Sequence, residues 1–216
     1  MELSTGVFER SGSDSMSERL FYTLLGFFII WGLATTAFVA HHVIEIGYKP
    51  SPIGAIVLGF VFPICGIYIA LKSDNWLVSF IAYNMITVPF GVVLAPAVQG
   101  YSPSIIRNVC MQTAIITGFM GFAGMSFPSV FRHLGGFLFV SLLGLLGILI
   151  AQMFVPAWQG AGWVHWVAVV IFTLYIGYDF HRASEVPRTV DSAVDIAVSI
   201  YLDILNVFLH LLKTKD

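Results

Sequence analysis

Seven long apolar runs constrain this chain more than any other feature of its sequence. Each is close to the roughly 20 residues that a helix needs to cross a bilayer. They cover residues 20–42, 53–72, 76–96, 104–126, 135–155, 161–182 and 192–212. Only 10% of the residues are charged, against about 25% in soluble domains. We therefore predict an all-α integral membrane protein, built as a bundle of seven transmembrane helices.

The connections between the runs are short and rich in proline and polar residues, so they leave no room for a second domain. We predict one transmembrane domain over residues 20–212, preceded by a polar N-terminal tail (1–19) and followed by a short C-terminal tail (213–216). The formal net charge of −2 provides no basic field for binding nucleic acid. The expected surroundings are the lipid bilayer.

Basic residues in short loops predict the orientation of the chain, because cytoplasmic loops carry more of them. The inter-helix loops place four on the side of the N-terminus (Lys72, Arg132, Arg182 and Arg188) and two on the other side (Lys49 and Arg107). This distribution predicts a cytoplasmic N-terminus and a C-terminus on the opposite side. Short loops without a glycosylation sequon favour a bacterial inner membrane.

The last run carries a continuous polar stripe. At about 100° per residue, five polar side chains fall within an arc of about 80°: Asp195, Ser199, Asp203, Asn206 and His210. The opposite face is apolar. Asp203 lies near mid-membrane, too deep for its short side chain to reach water. An ionisable group at that depth usually faces the interior of the bundle and indicates function.

The sixth run places Tyr175, Asp179 and Arg182 on one helical face. Asp179 could form a simple ion pair with Arg182. Alternatively, it could meet Asp203 across the helical hairpin, and two desolvated carboxyl groups would then share a proton. Such a pair holds two helices together while it keeps the proton. When ionised, it repels itself and attracts a hard cation such as Ca²⁺.

Two segments of the C-terminal region, "IGYDFHRA" and "SIYLDILNVFLHLL", resemble the transmembrane Bax inhibitor motif family. The resemblance implies a seven-helix bundle in which the other six helices wrap a central last helix. It also implies a pH-sensitive Ca²⁺ leak, with Asp179 and Asp203 as a latch on the cytoplasmic side. One departure is that the second run lacks the acidic residue seen in relatives, and Lys72 is the only base near it.

These observations predict a pH-dependent calcium leak channel gated by Asp179 and Asp203. Asp195, Ser199 and Asn206 are predicted to line the pore or attract the cation, with Asp195 and the gate pair as transient Ca²⁺ ligands. Candidate latch partners are Arg182, Lys72 and Tyr175. We expect no enzymatic activity and no tightly bound cofactor; calcium is the transported ion.

Two alternatives stay open. One is a non-conducting regulator that binds a membrane protease or a stress-response complex, using the polar N-terminal tail. A less favoured alternative is an intramembrane aspartyl protease. Its second aspartate normally follows Gly-x-Gly, whereas Tyr201 and Leu202 precede Asp203 here, and no Pro-Ala-Leu motif follows.

Overall fold

A computed structural model describes residues 16–155 and 161–215. Most of the predicted N-terminal tail, the connection 156–160 and residue 216 lie outside the described residues. Seven long helices are present: α1 (Glu18–Glu45), α2 (Pro52–Lys72), α3 (Trp76–Val98), α4 (Pro103–Ser126), α5 (Leu134–Phe154), α6 (Gly162–Glu185) and α7 (Val190–Lys213). All seven are long and apolar enough to cross a membrane. The predicted fold class is confirmed, with boundaries within about three residues.

Polar capping residues determine where most of these helices begin. The side chains of Ser17, Ser51, Asn75, Ser102 and Thr189 each accept a hydrogen bond from a backbone N–H in the following turn. Those N–H groups have no partner within the helix, so a side-chain acceptor stabilises the first turn. The short polar connections therefore set the register of each helix as well as separating one from the next.

Helix α2 contains one irregular turn. Residues Val57–Val61 form a π-helical segment, and Pro63 follows it almost at once. A proline has no backbone N–H to donate and its ring crowds the preceding turn. The wider π turn accommodates this ring without ending the helix, so α2 remains long enough to span a bilayer.

Helix α7 occupies the centre of the bundle. It contacts α1, α3, α4 and α6, with a smaller contact to α2, and it is the most buried of the seven spans. Helix α5 packs on α6 rather than on α7. The last helix is therefore central, as predicted, but α6 separates it from α5, so the surrounding layer is not formed equally by all six helices.

A close crossing between α4 and α6 helps to fix the position of α6. A Cβ atom added at Gly124 would lie 2.1 Å from the carbonyl oxygen of Gly177, so the two backbones are almost in contact. Small residues permit this approach between helices in a membrane. Gly177 lies two residues before Asp179, and the crossing consequently positions that carboxyl group.

The turn between α6 and α7 is held by contacts to other parts of the chain. The backbone N–H of Met16 donates to the carbonyl oxygen of Arg188 at 3.0 Å, and the guanidinium of Arg188 lies 3.0 Å from the Glu18 carboxylate. Glu185, the last residue of α6, pairs with Arg132 at 3.0 Å. We call this end of the bundle, which carries the α2–α3, α4–α5 and α6–α7 connections, the turn side. The opposite end is the far side.

Candidate functional site

Asp179 and Asp203 meet at the interface between α6 and α7. Their carboxyl groups lie within hydrogen-bonding reach of each other. Both side chains are buried, with 4% of Asp179 and 7% of Asp203 exposed. Asp203 lies roughly 20 Å along α7 from its first residue, from the helical rise of 1.5 Å per residue. The structure thus brings together the two aspartates that the sequence analysis paired.

Arg182 also contacts this pair. Its Nη1 atom donates to Oδ1 of Asp179 at 2.9 Å, one turn along α6. The two interpretations of Asp179 offered by the sequence are therefore compatible, because the same carboxylate faces both Arg182 and Asp203. A charge-assisted bond of this length orients the carboxylate and balances its negative charge at the turn side of the pair.

The other two candidate latch partners differ in position. Tyr175 lies one turn before Asp179 and within electrostatic range of both carboxyl groups. Lys72 is exposed, and its ammonium group lies 5.9 Å from the ring centre of Tyr68 on its own helix. The structure therefore places Tyr175 near the pair and does not bring Lys72 to it.

The chemistry of the pair follows from its burial. Oδ2 of Asp203 is buried and has no hydrogen-bond partner among the described residues. Two ionised carboxylates would repel strongly in such a site, where little water screens them. One bound proton removes the repulsion and supplies a hydrogen bond between the two groups. The arrangement can hold or release that proton and change the α6–α7 contact accordingly.

Further acidic residues lie between the pair and the turn side. Oδ1 of Asp191 accepts a hydrogen bond of 2.7 Å from the Ser79 hydroxyl on α3. Asp195, one turn further along α7, is partly buried, and its Oδ1 atom has no partner among the described residues. Asp191, Arg182 and Asp74 act on it electrostatically. Asp195 is thus an acidic residue with free acceptor capacity on the turn side of Asp203.

The remaining predicted pore residues are less distinctive. Ser199 is partly buried on α7. The Asn206 amide donates to the carbonyl oxygen of Leu202 at 2.8 Å within the same helix. Among the described residues no three His, Cys, Asp or Glu side chains converge as a metal site. A stable Ca²⁺ site needs six to eight oxygen ligands. The role of Asp179, Asp203 and Asp195 as transient ligands of a Ca²⁺ ion that moves through the protein therefore stays a prediction.

The contact between His165 and His210, the last residue of the polar stripe, was not predicted from the sequence. Nδ1 of His210 lies 3.0 Å from Nδ1 of His165 on α6, at the far side of the bundle. In the sequence His165 lies between Trp163 and Trp166 at the start of the sixth run, a pattern typical of an interfacial aromatic belt. The antiparallel pairing of α6 and α7 was the signal that could have revealed the contact, because His210 shares its stripe with Asp203.

The apolar face of α7 borders a cavity of about 500 Å³ between α1, α4 and α7. Leu205 and Phe208 contribute to its wall on α7, and Cys110 and Thr113 to its wall on α4. The polar stripe faces α6 instead, through Asp203 and His210. Helix α7 consequently separates an ionisable interface from an apolar cavity.

Comparison with known proteins identifies the family. The family model described as "Inhibitor of apoptosis-promoting Bax1" matches residues 19–214. An uncharacterized protein of Helicobacter pylori is 30% identical over 123 residues, which are 57% of this chain and 51% of that protein. The chain thus spans about half the length of this curated relative.

Two named relatives extend the comparison. The inner membrane protein YbhL of Escherichia coli is 25% identical over 205 residues, covering 84% of this chain and 85% of that protein. Protein LIFEGUARD 4 of Arabidopsis thaliana is 37% identical over 83 residues, covering 38% of this chain and 33% of that protein. With the family match over nearly its whole length, its seven membrane-spanning helices and its central last helix, this chain belongs to the Bax inhibitor (transmembrane Bax inhibitor motif) family.

Proposed function

We propose that this protein is a pH-dependent calcium leak channel whose gate is the Asp179–Asp203 pair. The observation that carries the proposal is the buried contact between these two carboxyl groups, on the helix interface of greatest extent in the bundle. A membrane protein gains no stability from burying two acids that could be apolar. Their presence is better explained by a function that uses the proton they hold.

The proposed mechanism follows from the charge of the pair. With one proton bound, the hydrogen bond between Asp179 and Asp203 holds α6 against α7. When that proton leaves, two negative charges face each other in a buried site and repel, so α7 moves away from α6. Arg182 offsets part of the charge on Asp179 through its 2.9 Å contact and so favours release of the proton.

The same ionised pair would attract a divalent cation into the opened interface. One carboxylate oxygen of Asp195 is buried and has no hydrogen-bond partner in the described part of the chain. Asp195 lies about two helical turns from Asp203 and would be a second cation-attracting position on the turn side of the pair. Ser199 lies between these two aspartates on the same stripe. The ion path proposed here follows the polar stripe of α7 and avoids the apolar cavity behind it.

The test is a flux measurement in liposomes that contain a Ca²⁺-sensitive dye, at pH values from about 6 to 8. We expect flux to increase with pH in the wild-type protein. Asp203→Asn preserves the size of the side chain and removes the titration, so its flux should no longer depend on pH. Asp74→Asn is the matched control, because it removes the same charge at an exposed position on the turn side.

Two results would refute different parts of the proposal. Flux equal to that of empty liposomes at every pH would refute the channel. Flux that retains the wild-type pH dependence in Asp203→Asn would refute the gate while sparing the channel. A loss of pH dependence in the Asp74→Asn control would show that the surface charge, rather than the buried pair, sets the response.

The location and orientation belong to the same proposal. The E. coli relative YbhL is named as an inner membrane protein, and we propose the same location here, with the turn side facing the cytoplasm. In that orientation the pair would respond to cytoplasmic pH. Protease accessibility of a tag at the N-terminus in right-side-out and inverted vesicles tests the orientation.

The alternative role as a regulator of a membrane protease or stress-response complex concerns residues 1–15, which lie outside the described part of the chain. Deleting these residues leaves Met16 and its bond to Arg188 in place. The deletion can therefore be tested for lost co-purifying partners without disturbing the α6–α7 turn. Unchanged partners and unchanged flux would argue against a regulatory role for this segment.

A further inference from the structure

The far side of the α6–α7 interface carries a second pair of titratable groups that the proposed gate does not use. His165 lies in the first turn of α6 and His210 in the last turn of α7, and both are partly buried. Their Nδ1 atoms are 3.0 Å apart. The ring of His210 also stacks on Phe172, with 6.1 Å between ring centres and 15° between planes.

The geometry of the two rings defines the kind of contact. Their centres are 5.3 Å apart, which is the separation expected when the two nitrogens point straight at each other across 3.0 Å. A metal ion would need both nitrogen lone pairs to converge on one point about 2.0–2.1 Å from each ring, and no third ligand is present among the described residues. The contact is therefore an N–H···N hydrogen bond, in which one ring donates and the other accepts.

A hydrogen bond of this kind tolerates one added proton but not two. Neutral rings share it by adopting complementary tautomers. One added proton gives a charged donor and a stronger bond. A second proton places a hydrogen on both Nδ1 atoms, which removes the acceptor and leaves two cations in contact.

Several other titratable groups also lie at this end of the bundle. His165 is the group that acts electrostatically on His210. Lys213 follows His210 by one turn on α7, and Tyr175 lies further along α6. The neighbouring helices carry further titratable groups at their far-side ends. These are Arg107 on α4, Tyr101 after α3, Tyr48 and Lys49 before α2, and His41, His42 and Glu45 on α1.

We propose that the His165–His210 pair is a second proton-dependent contact between α6 and α7, with the opposite pH response to the aspartate pair. The histidine contact breaks when acid adds its second proton, whereas the aspartate contact breaks when base removes its last one. The two helices are then joined at both points only within an intermediate range of pH. Acid breaks the histidine contact at the far side and leaves the aspartate contact intact.

A distance measurement tests this without relying on conduction, so its failure is distinguishable from failure of the proposed channel. Spin labels are placed at Val170→Cys on α6 and at Lys215→Cys, two residues after the end of α7, both exposed positions. The exposed native cysteines, Cys65 and Cys110, are replaced by serine. Pulsed electron paramagnetic resonance then gives the label separation at pH 7.5 and at about pH 3.5.

We expect the wild-type histidine pair to give a longer separation at the acidic pH, and His165→Gln to keep the same separation at both pH values. His133→Gln is the matched control, since His133 is exposed and its Nδ1 atom contacts the Ser129 carbonyl oxygen at the turn side, away from the histidine pair. This variant should respond like the wild type. An unchanged wild-type distance, or an acid response that persists in His165→Gln, overturns the proposal. Circular dichroism at both pH values verifies that each variant remains folded.

Discussion

The crossing of α4 and α6 gives the most direct structural prediction, because the close approach of the two helices depends on the absence of a Cβ atom at Gly124. In Gly124→Ala the new Cβ atom would lie 2.1 Å from the Gly177 carbonyl oxygen and 2.9 Å from its carbonyl carbon. Real Cβ atoms essentially never approach other atoms closer than 3.0 Å. Helices α4 and α6 must therefore separate by about 1 Å at this point.

The cost of that separation can be estimated. Overpacking a well-packed interior usually costs about 1–3 kcal/mol. Both atoms in conflict here belong to backbone, which cannot rotate away as a side chain does, so we expect about 3 kcal/mol. For a chain of this size each kcal/mol corresponds to roughly 2–4 °C in Tm. The Gly124→Ala variant should thus unfold about 6–12 °C below the wild type.

Thermal unfolding in a mild detergent, followed by circular dichroism, measures this effect. Gly118→Ala is the matched control, since it makes the same substitution on the same helix and its Cβ would have nothing within 4 Å. The control should be neutral or slightly stabilising, because alanine favours helix by about 1 kcal/mol over glycine. Equal Tm values for the two variants would refute the claim that the crossing requires glycine.

Two further predictions concern polar contacts around the central helix. In Tyr201→Phe the buried 2.6 Å hydrogen bond to the Thr36 hydroxyl is lost. We expect the free energy of unfolding to fall by about 1 kcal/mol, which lowers the Tm by a few degrees. An unchanged Tm would contradict this prediction. In Arg182→Gln the cation beside Asp179 is removed, so ionising the pair becomes harder and the pH midpoint of Ca²⁺ flux should rise by about one unit. Arg132→Gln, which removes an exposed cation paired with Glu185, should leave that midpoint in place.

The sequence predicts the fold well because the bilayer imposes a simple length rule. Each apolar run must cross the same thickness, and each connection must satisfy the first turn of the next helix with a polar cap. Ser51 and Asn75 do so here. The π turn of α2 was not predicted, since its hydrophobic pattern does not differ from that of a regular helix, although Pro63 marks a place where a regular turn is costly.

Part of the candidate site could be predicted from the sequence because most of its residues lie on one polar stripe of α7. The depth of Asp203 and its separation from Asp179 along the hairpin sufficed to pair the two aspartates. Asn206 lies on the same stripe, yet its amide bonds its own helix, and periodicity does not distinguish an inward-facing amide from one that is satisfied locally. Lys72 lies away from the pair because its direction depends on the packing of α2, which the sequence does not specify.

The distribution of contacts explains why the α6–α7 interface is the one suited to respond to pH. Other interfaces of α7 depend on groups that carry no titratable proton near neutral pH, such as the Tyr201–Thr36 bond to α1. The α4–α6 crossing depends on glycine and backbone. At the α6–α7 interface, by contrast, ionisable side chains meet midway along α7, at Asp179 and Asp203, and again at the far side, at His165 and His210. Under the proposed mechanism a change in pH acts on the α6–α7 contact, and the α4–α6 crossing holds α6 in place as α7 moves.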